Sequence, residues 1–288
     1  NYEKIQQFYE WRRERMGREP KASTLNTHNS AMNRVFEEAV ARGFLAHKDV
    51  PMLANKGEGS ERRPDFTRDE YRTLIRKLPH WIKQGKAGKP TDMRYLLRDY
   101  VLILANTGMR HGTETLNLRW KHITLFEEGG LQYLEMSVRG KTGRRDIICR
   151  SGTINYLRRI HERSEDIKHI PFEDLLKQRV DLPVFRLPDG TVSKNLHQTF
   201  RAFVTETGLI TCPRTGQNRT LYSLRHTYAT FALLNDGMDI HALAIQMGTS
   251  IGMIERHYSH LTPRLKKDML TGKRHDLPAD EFLQRYKS

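Results

Sequence analysis

The chain has 288 residues, which is long enough to bury a sizeable core and to form two unequal domains. Its 49 Lys and Arg residues outnumber its 34 Asp and Glu residues, so the formal charge at pH 7 is +15. A field of this sign steers and holds polyanions, which predicts nucleic acid as the partner. No apolar run approaches the roughly 20 residues of a membrane-spanning helix, and no signal segment opens the chain, so we predict no membrane partner and a cytoplasmic location.

The cysteines and histidines carry no sign of a metal site. Cys149 and Cys212 lie far apart in sequence, and neither belongs to a Cys-x-x-Cys pair. None of the 13 histidines has the His-x-x-x-His or His-x-Glu spacing that metal sites use. We therefore predict a reducing compartment, no metal and no cofactor.

Two helices are predicted at the start of the chain. A charged amphipathic helix runs from Tyr2 to about Met16, and Ser23 or Thr24 is predicted to cap a second helix that ends at Arg42-Gly43. Because two helices make a thin domain and the chain begins with Asn, we expect residues 1–55 to form part of a helical domain.

A larger domain is predicted to follow an exposed linker. Residues 56–65 are rich in Gly, Ser, Pro and charge, which favours a linker, and residues 66–262 are assigned to the second domain. Thr67-Arg68-Asp69-Glu70 is a capping box, so a helix is expected to begin there and run to about Leu78. Another helix is expected from about Asp92 to Thr107, with Gly108 as its stop.

The rest of this domain combines a small sheet with further helices. Strands are expected around Ile123 and at Leu131–Val138 and Asp146–Cys149, with residues 139–144 as a hairpin turn. The expected helices are Thr153–Arg163, Asn195–Thr207, Ser223–Leu234, Asp239–Met247 and Ile251–Tyr258. The predicted fold class is mainly α with a small antiparallel β-sheet (α+β), followed by a C-terminal tail at residues 263–288.

Four short stretches stand out in a fixed order. The first two are weak by themselves, since a Gly-x-Arg after a helix and a Lys in a hairpin turn are both common in solvated surfaces. The last two are more specific, because they combine Arg, His, Thr and Tyr at fixed spacing. The four stretches are Asn106-Thr107-Gly108-Met109-Arg110, Gly140-Lys141-Thr142-Gly143, residues 222–230 and Met247-Gly248-Thr249-Ser250, the last leading to Tyr258.

The third and fourth stretches carry a family resemblance. Leu-Arg-His-Thr-x-Ala-Thr, then Gly-x-Ser, then a Tyr ten positions after that Gly resembles the signature of the tyrosine recombinase, or phage integrase, family. The resemblance covers about Asp65 to Leu261, and the helix at residues 22–42 resembles the end of that family's DNA-binding arm domain. It implies the tyrosine-recombinase catalytic fold, and four catalytic residues: Arg110 and Arg225 as the arginine pair, Lys141 as the hairpin lysine and Tyr258 as the nucleophile.

Three positions depart from the family pattern. Tyr222 stands where the family usually has His or Lys, and Thr249 where it usually has His or Trp. One extra residue lies between Arg110 and the Leu118-Arg119-Trp120 segment, so the match of Glu114 to the family's acidic partner of that arginine stays open. Tyr222 is a poor base at neutral pH, and we expect the field of the two arginines, or His226 or His257, to substitute in part. His226 itself is expected to support its helix more than to catalyse.

The resemblance implies a site-specific recombinase or integrase that cuts and rejoins duplex DNA through a covalent 3′-phosphotyrosyl intermediate. Lys141 would protonate the leaving 5′ oxygen, Thr249 would donate one hydrogen bond to the phosphate, and the reaction would need neither ATP nor metal. Expected partners are double-stranded DNA attachment sites, three further copies in a homotetramer on two DNA sites, and accessory DNA-bending proteins, with residues 263–288 docking on a neighbouring subunit. A type IB topoisomerase-like nicking-closing enzyme and a catalytically impaired DNA-binding regulator of the same fold stay open as alternatives.

Overall fold

The chain divides into two compact units, Asn1–Arg62 and Arg63–Ser288. Lys141 and the predicted tail at 263–288 lie outside the residues that the structure describes. The structure is a computed structural model, and it describes residues 2–57, 63–140, 143–193 and 196–258.

The first unit contains two long helices, α1 (Tyr2–Met16) and α2 (Ala22–Ala41). The predicted capping of α2 by Ser23 or Thr24 is wrong, because Lys21 is the N-cap and no side chain caps the helix. The Thr24 N–H already donates to the Lys21 carbonyl at 2.9 Å, so Ser23 and Thr24 lie within the first turn. Leu25, one residue further along, is fully buried and anchors the helix.

The second unit is mainly helical. Two short helices of four and six residues, α5 and α7, were not predicted, since so few residues leave no periodic pattern. The helices are α3 (Arg68–Lys83), α4 (Lys89–Thr107), α5 (Thr113–Leu116), α6 (Thr153–Arg163), α7 (Phe172–Lys177), α8 (Leu196–Glu206), α9 (Leu221–Leu234), α10 (Ile240–Met247) and α11 (Ile251–Tyr258).

The predicted capping box starts α3. The Glu70 N–H donates to Thr67 Oγ1 at 3.3 Å, and the Thr67 N–H donates to the Glu70 carboxylate at 2.8 Å. The helix continues beyond the predicted end near Leu78 and passes through Pro79. It does so because the next turn is buried: Trp81 is 3% exposed, and its indole N–H donates to Glu206 at 2.5 Å.

A three-stranded antiparallel sheet completes the second unit. Its order is β1-β2-β3, with Met136 of the central strand opposite Ile123 on one side and Ile147 on the other. Alternate residues of the central strand are buried, so one face of the sheet packs on the core. This confirms the predicted fold class. The strands are β1 (Ile123–Glu128), β2 (Leu131–Gly140) and β3 (Gly143–Ile148).

Helix α4 lies at the centre of the core. Its consecutive residues 100–105 are all buried, which is why its hydrophobic pattern covers the whole circumference and not a single stripe. It packs against α3, α6, α8 and α9. In the part of the chain that the structure describes, no helix combines the length and apolar character needed to cross a membrane.

Candidate active site

Arg110 is placed by the way in which α4 ends. Gly108 adopts a left-handed conformation with φ of 67°, and its N–H donates to the Leu104 carbonyl at 3.1 Å. A Cβ at this position would lie 2.5 Å from the ring of Tyr228 on α9. Glycine is therefore required twice, by the turn and by the close approach of α9, and the turn leaves Arg110 just beyond the helix.

Glu114 is the partner of Arg110. Its carboxylate accepts hydrogen bonds from the Arg110 backbone N–H at 2.7 Å and from Arg110 Nη1 at 2.6 Å. The chain between Arg110 and Glu114 turns at Gly112, whose φ of 101° and ψ of −117° are open only to glycine. Glu114 is thus a site residue that the sequence did not assign; an acidic side chain one turn beyond Arg110 was the available signal.

The same carboxylate holds a second guanidinium, that of Arg145 on β3. Arg145 Nη1 and Nη2 donate to the two oxygens of Glu114 at 2.6 and 2.8 Å. Burial by itself raises the pKa of Glu114, but the hydrogen bonds and charges of Arg145 and Arg110 outweigh it and hold the pKa below its usual value. Glu114 is therefore ionised at neutral pH, between two cations.

Arg225 binds the ends of two helices. From α9, its Nη1 donates to the Gly108 carbonyl and its Nη2 donates to the Met247 carbonyl at 2.6 Å. Arg110 Nη2 donates to the next carbonyl, that of Gly248. The two guanidinium groups are thus neighbours at the end of α10. Burial and the charge of Arg110 lower the pKa of Arg225 to about 10, which leaves it charged at neutral pH.

Tyr258 ends α11 and is held from α9. Its phenolic oxygen lies 2.7 Å from Nδ1 of His226, the residue next to Arg225. Both side chains are buried, with His226 at 7% and Tyr258 at 4% exposure. Tyr258 packs in a small apolar cluster with Met247 and Ile254, so the position of its ring is fixed by α10 and α11. The contact with His226 was not predicted from the sequence.

Tyr222 lies one turn before His226 on α9. Its ring centroid is 5.3 Å from that of His226, the residue that follows Arg225 on α9. The guanidinium of Arg63 lies 5.6 Å from the Tyr222 ring centroid, and Arg63 Nη1 donates to Thr220 Oγ1 at 3.1 Å. The guanidinium of Arg63 therefore lies next to Tyr222, the position at which the family usually has a basic side chain.

Thr249 lies in the turn between α10 and α11. Gly248 makes this turn with φ of 60°, and the Thr249 N–H donates to the Ala244 carbonyl at 3.0 Å. The half-buried Thr249 lines an open groove of about 550 Å³ whose walls include Arg145. This places Thr249 next to the carbonyl that binds Arg110.

Five of the six predicted site residues thus come from neighbouring elements of one unit. The sixth, Lys141, lies outside the described residues; Gly140 and Gly143, which flank this segment, are paired across β2 and β3. Among the residues that the structure describes, no three His, Cys, Asp or Glu side chains are placed to hold a metal ion.

The family of the chain is shown by its match to a protein-family model. The model of the Phage integrase family matches residues 65–264, which is more than half of the chain. The chain belongs to the phage integrase family. A comparison with curated proteins gives no match.

Solved structures of phage integrase relatives share the fold. The Tn1549 transposon integrase in complex with transposon right end DNA has a TM-score of 0.58 and 17% identity, over 93% of this chain and 85% of that one. A lambda integrase dimer bound to a COC′ core site gives 0.56 and 17%, over 87% and 80%. The XerH recombinase bound to difH gives 0.50 and 19%, over 80% of this chain and 59% of that one.

In this chain, the signature segment on α9 also anchors the helix. The Phe66 N–H donates to Thr227 Oγ1 at 2.9 Å, and Thr230 Oγ1 donates to Asp65 at 2.6 Å. The two threonines of the Arg-His-Thr-x-Ala-Thr segment therefore hold the start of the second unit against α9. Because the neighbouring Arg225 faces the site, this anchoring sets the position of its guanidinium.

Proposed function

We propose that the chain is a site-specific DNA recombinase that cuts and rejoins duplex DNA through a covalent 3′-phosphotyrosyl intermediate at Tyr258. The observation that carries the proposal is the pair of guanidinium groups, Arg110 and Arg225, on successive carbonyls at the end of α10. Tyr258 is held at the end of the following helix by the residue adjacent to Arg225. The two cations can bind an anionic phosphodiester, and the phenol can attack its phosphorus.

The arginine pair is proposed to clamp the scissile phosphate. Attack on a phosphodiester builds negative charge on its non-bridging oxygens, and planar guanidinium groups match such oxygens with paired N–H donors. Preorganised donors to a developing anion are worth about 10²–10³ in rate each. Because Glu114 neutralises one charge among Arg110, Arg145 and Arg225, the cluster keeps an excess of positive charge for the phosphate.

Two proton transfers accompany the proposed cleavage. The Tyr258 oxygen attacks phosphorus, forms the Tyr–O–P bond and gives its proton to His226 Nδ1, 2.7 Å away. The bond between phosphorus and the 5′ oxygen breaks, and Lys141 gives that oxygen a proton. Attack of a different 5′ hydroxyl on the phosphotyrosine reverses these steps and rejoins the strands. Tyr222 and Thr249 are proposed to contact the same phosphate region.

Duplex DNA is the proposed substrate. The formal charge of +15 supports a polyanion, and the Tn1549 integrase and lambda integrase structures are complexes with transposon end DNA and core-site DNA. We propose residues 1–55 as part of an arm domain that binds DNA together with residues 66–262. A homotetramer on two attachment sites, with residues 263–288 docking on a neighbour and DNA-bending proteins assisting, completes the proposal.

The experiment is a covalent trapping assay. A duplex with a nick beside the cleavage site loses the short 5′-hydroxyl fragment after cleavage, so protein should accumulate on the 3′ phosphate. The wild type and Tyr222→Phe should form adduct, whereas Tyr258→Phe should bind the DNA and form none. Adduct from Tyr258→Phe at the wild-type level would contradict the proposal. Binding without adduct from the wild type would favour the impaired regulator, and relaxation without recombinant joints would favour a topoisomerase.

A further inference from the structure

Arg145 adds positive charge to the site, but the catalytic proposal assigns it no contact with the phosphate. It lies on β3 opposite Val138 of β2, and its side chain is 13% exposed. Each of its three guanidinium nitrogens donates one hydrogen bond: Nη1 and Nη2 to Glu114, and Nε to the Gln246 carbonyl at 3.2 Å. The paired hydrogen bonds orient this guanidinium toward Glu114.

The carboxylate of Glu114 links Arg145 to Arg110. Glu114 Oε1 accepts from Nη1 of both arginines at 2.6 Å, while Oε2 accepts from Arg145 Nη2 and from the Arg110 backbone N–H. Bidentate pairing fixes both the plane and the distance of a carboxylate. Arg145 supplies such a pair and therefore helps to fix the carboxylate to which Arg110 is bound.

Two glycines leave the space that this arrangement needs. A Cβ on Gly248 would lie 2.7 Å from Arg145 Cδ and 2.8 Å from its Nε. A Cβ on Gly140 would lie 2.8 Å from Glu114 Oε1. Gly248 also supplies the carbonyl that accepts from Arg110 Nη2. The backbone is therefore shaped around Arg145 at the same turn that binds the catalytic arginine.

We propose that Arg145 is a positioning residue for DNA cleavage: through Glu114 it holds Arg110 in the orientation that clamps the phosphate, and it ties β3 to that clamp. This role rests on the proposed function, because it assumes that Arg110 neutralises the scissile phosphate. Residues that support the ligands of a catalytic metal typically change activity by about 10–100-fold when they are removed, and we expect a loss of the same order for a residue that supports Arg110 through Glu114.

The test compares two substrates in single-turnover cleavage. One is the nicked duplex; the other is the same duplex with a methylphosphonate at the scissile position, which is neutral and needs less charge compensation. Arg145→Met, of similar length but without charge, should lose about 10–100-fold on the phosphodiester. Its loss should be much smaller on the methylphosphonate, in the same pattern as Arg110→Ala. Arg145→Lys, which keeps the charge without the bidentate geometry, should fall between wild type and Arg145→Met.

Arg144→Met is the matched control, because Arg144 lies next to Arg145 on β3 with a 71% exposed side chain and donates to Ser137. It should change the rates on both substrates by the same factor. A wild-type rate for Arg145→Met on the phosphodiester would overturn the positioning role. So would an equal loss on both substrates by Arg145→Met and Arg145→Lys, since that is the result of a structural lesion. Absence of adduct from the wild type on both substrates would overturn the proposed function itself, and this role with it.

Discussion

Nδ1 of His226 lies 2.7 Å from the phenolic oxygen of Tyr258, and both groups are buried. The sequence left two roles open for His226, a support for its helix and a partner for the nucleophile. The short distance places the His226 imidazole in direct contact with the Tyr258 hydroxyl. Support alone requires only a hydrogen bond, whereas activation requires a group that takes up a proton at neutral pH.

The substitution His226→Asn separates these two roles. The asparagine amide can reach Tyr258 from about the position of the imidazole Nδ1, yet it does not act as a base. We expect His226→Asn to bind DNA as the wild type does and to form the covalent adduct about 10²–10⁴-fold more slowly, the usual contribution of a positioned base. Single-turnover adduct formation is the measurement. Full-rate cleavage by His226→Asn would reduce the histidine to a hydrogen-bonding support.

The role of Tyr222 can be tested by introducing histidine, a residue that the family usually has at this position. Tyr222→His should keep or raise the cleavage rate near neutral pH, because it adds a proton acceptor beside Arg225 and His226. Tyr222→Phe keeps the ring that Arg63 and His226 contact and serves as the control. Rates are read from a labelled nicked duplex at several pH values. Loss of cleavage by a folded, DNA-binding Tyr222→His would show that the tyrosine has a specific role of its own.

Lys141 is predicted to be the general acid for the leaving 5′ oxygen. Lys141→Ala should slow cleavage of a normal phosphodiester, because the 5′ alkoxide then leaves without a proton. A 5′-bridging phosphorothiolate should largely restore the rate, since sulfur leaves as a thiolate. If sulfur gives no rescue, the lysine positions DNA and does not supply the proton.

The ion pairs of Glu114 with Arg110 and Arg145 are expected to make the free energy of unfolding depend on pH. Glu114→Gln should lower the free energy of unfolding at pH 7 by about 3–5 kcal/mol, the usual cost of removing one partner of a buried ion pair. Although burial raises the pKa of Glu114, Arg145 and Arg110 hold it below its usual value. A carboxyl of this kind contributes stability above an unfolded-state pKa of about 4.3 and loses it as pH falls through the lower folded-state value.

Urea unfolding of wild type and Glu114→Gln measures this contribution. The difference between them should stay constant from pH 7 to about 5.5 and shrink as the pH falls below about 4. Glu165→Gln is the control, because Glu165 forms an exposed pair with Lys168. A difference that does not change with pH would mean that the charge of Glu114 does not stabilise the cluster.

Local signals in the sequence predicted much of the fold. The Thr67–Glu70 capping box and the stop at Gly108 were found because each depends on a few adjacent residues. Helix α6 and helix α11 were predicted with the bounds that the structure has. The end of α3 was missed, since burial of Trp81 outweighs the local effect of Pro79.

The site was predicted only where motif residues mark it. The pairing of Glu114 with Arg145 joins residues 31 positions apart in sequence and depends on the strand pairing that places Arg145. Its link to Arg110 depends on the backbone conformation of Gly112, which no spacing rule contains. The contact between His226 and Tyr258 spans 32 positions and requires α9 and α11 to pack together. Such contacts follow from tertiary packing and not from local pattern.

The proposed mechanism requires Tyr258 to become covalently joined to a DNA 3′ phosphate. The direct measurement is mass spectrometry of the adduct that wild type forms on a nicked duplex in EDTA and without nucleotide, after protease and nuclease digestion. We expect a nucleotide joined through its 3′ phosphate to the peptide that contains Tyr258. The same modification on Tyr222 or Tyr228, a 5′-phosphate linkage, or adduct that forms only when Mg²⁺ is added would contradict it.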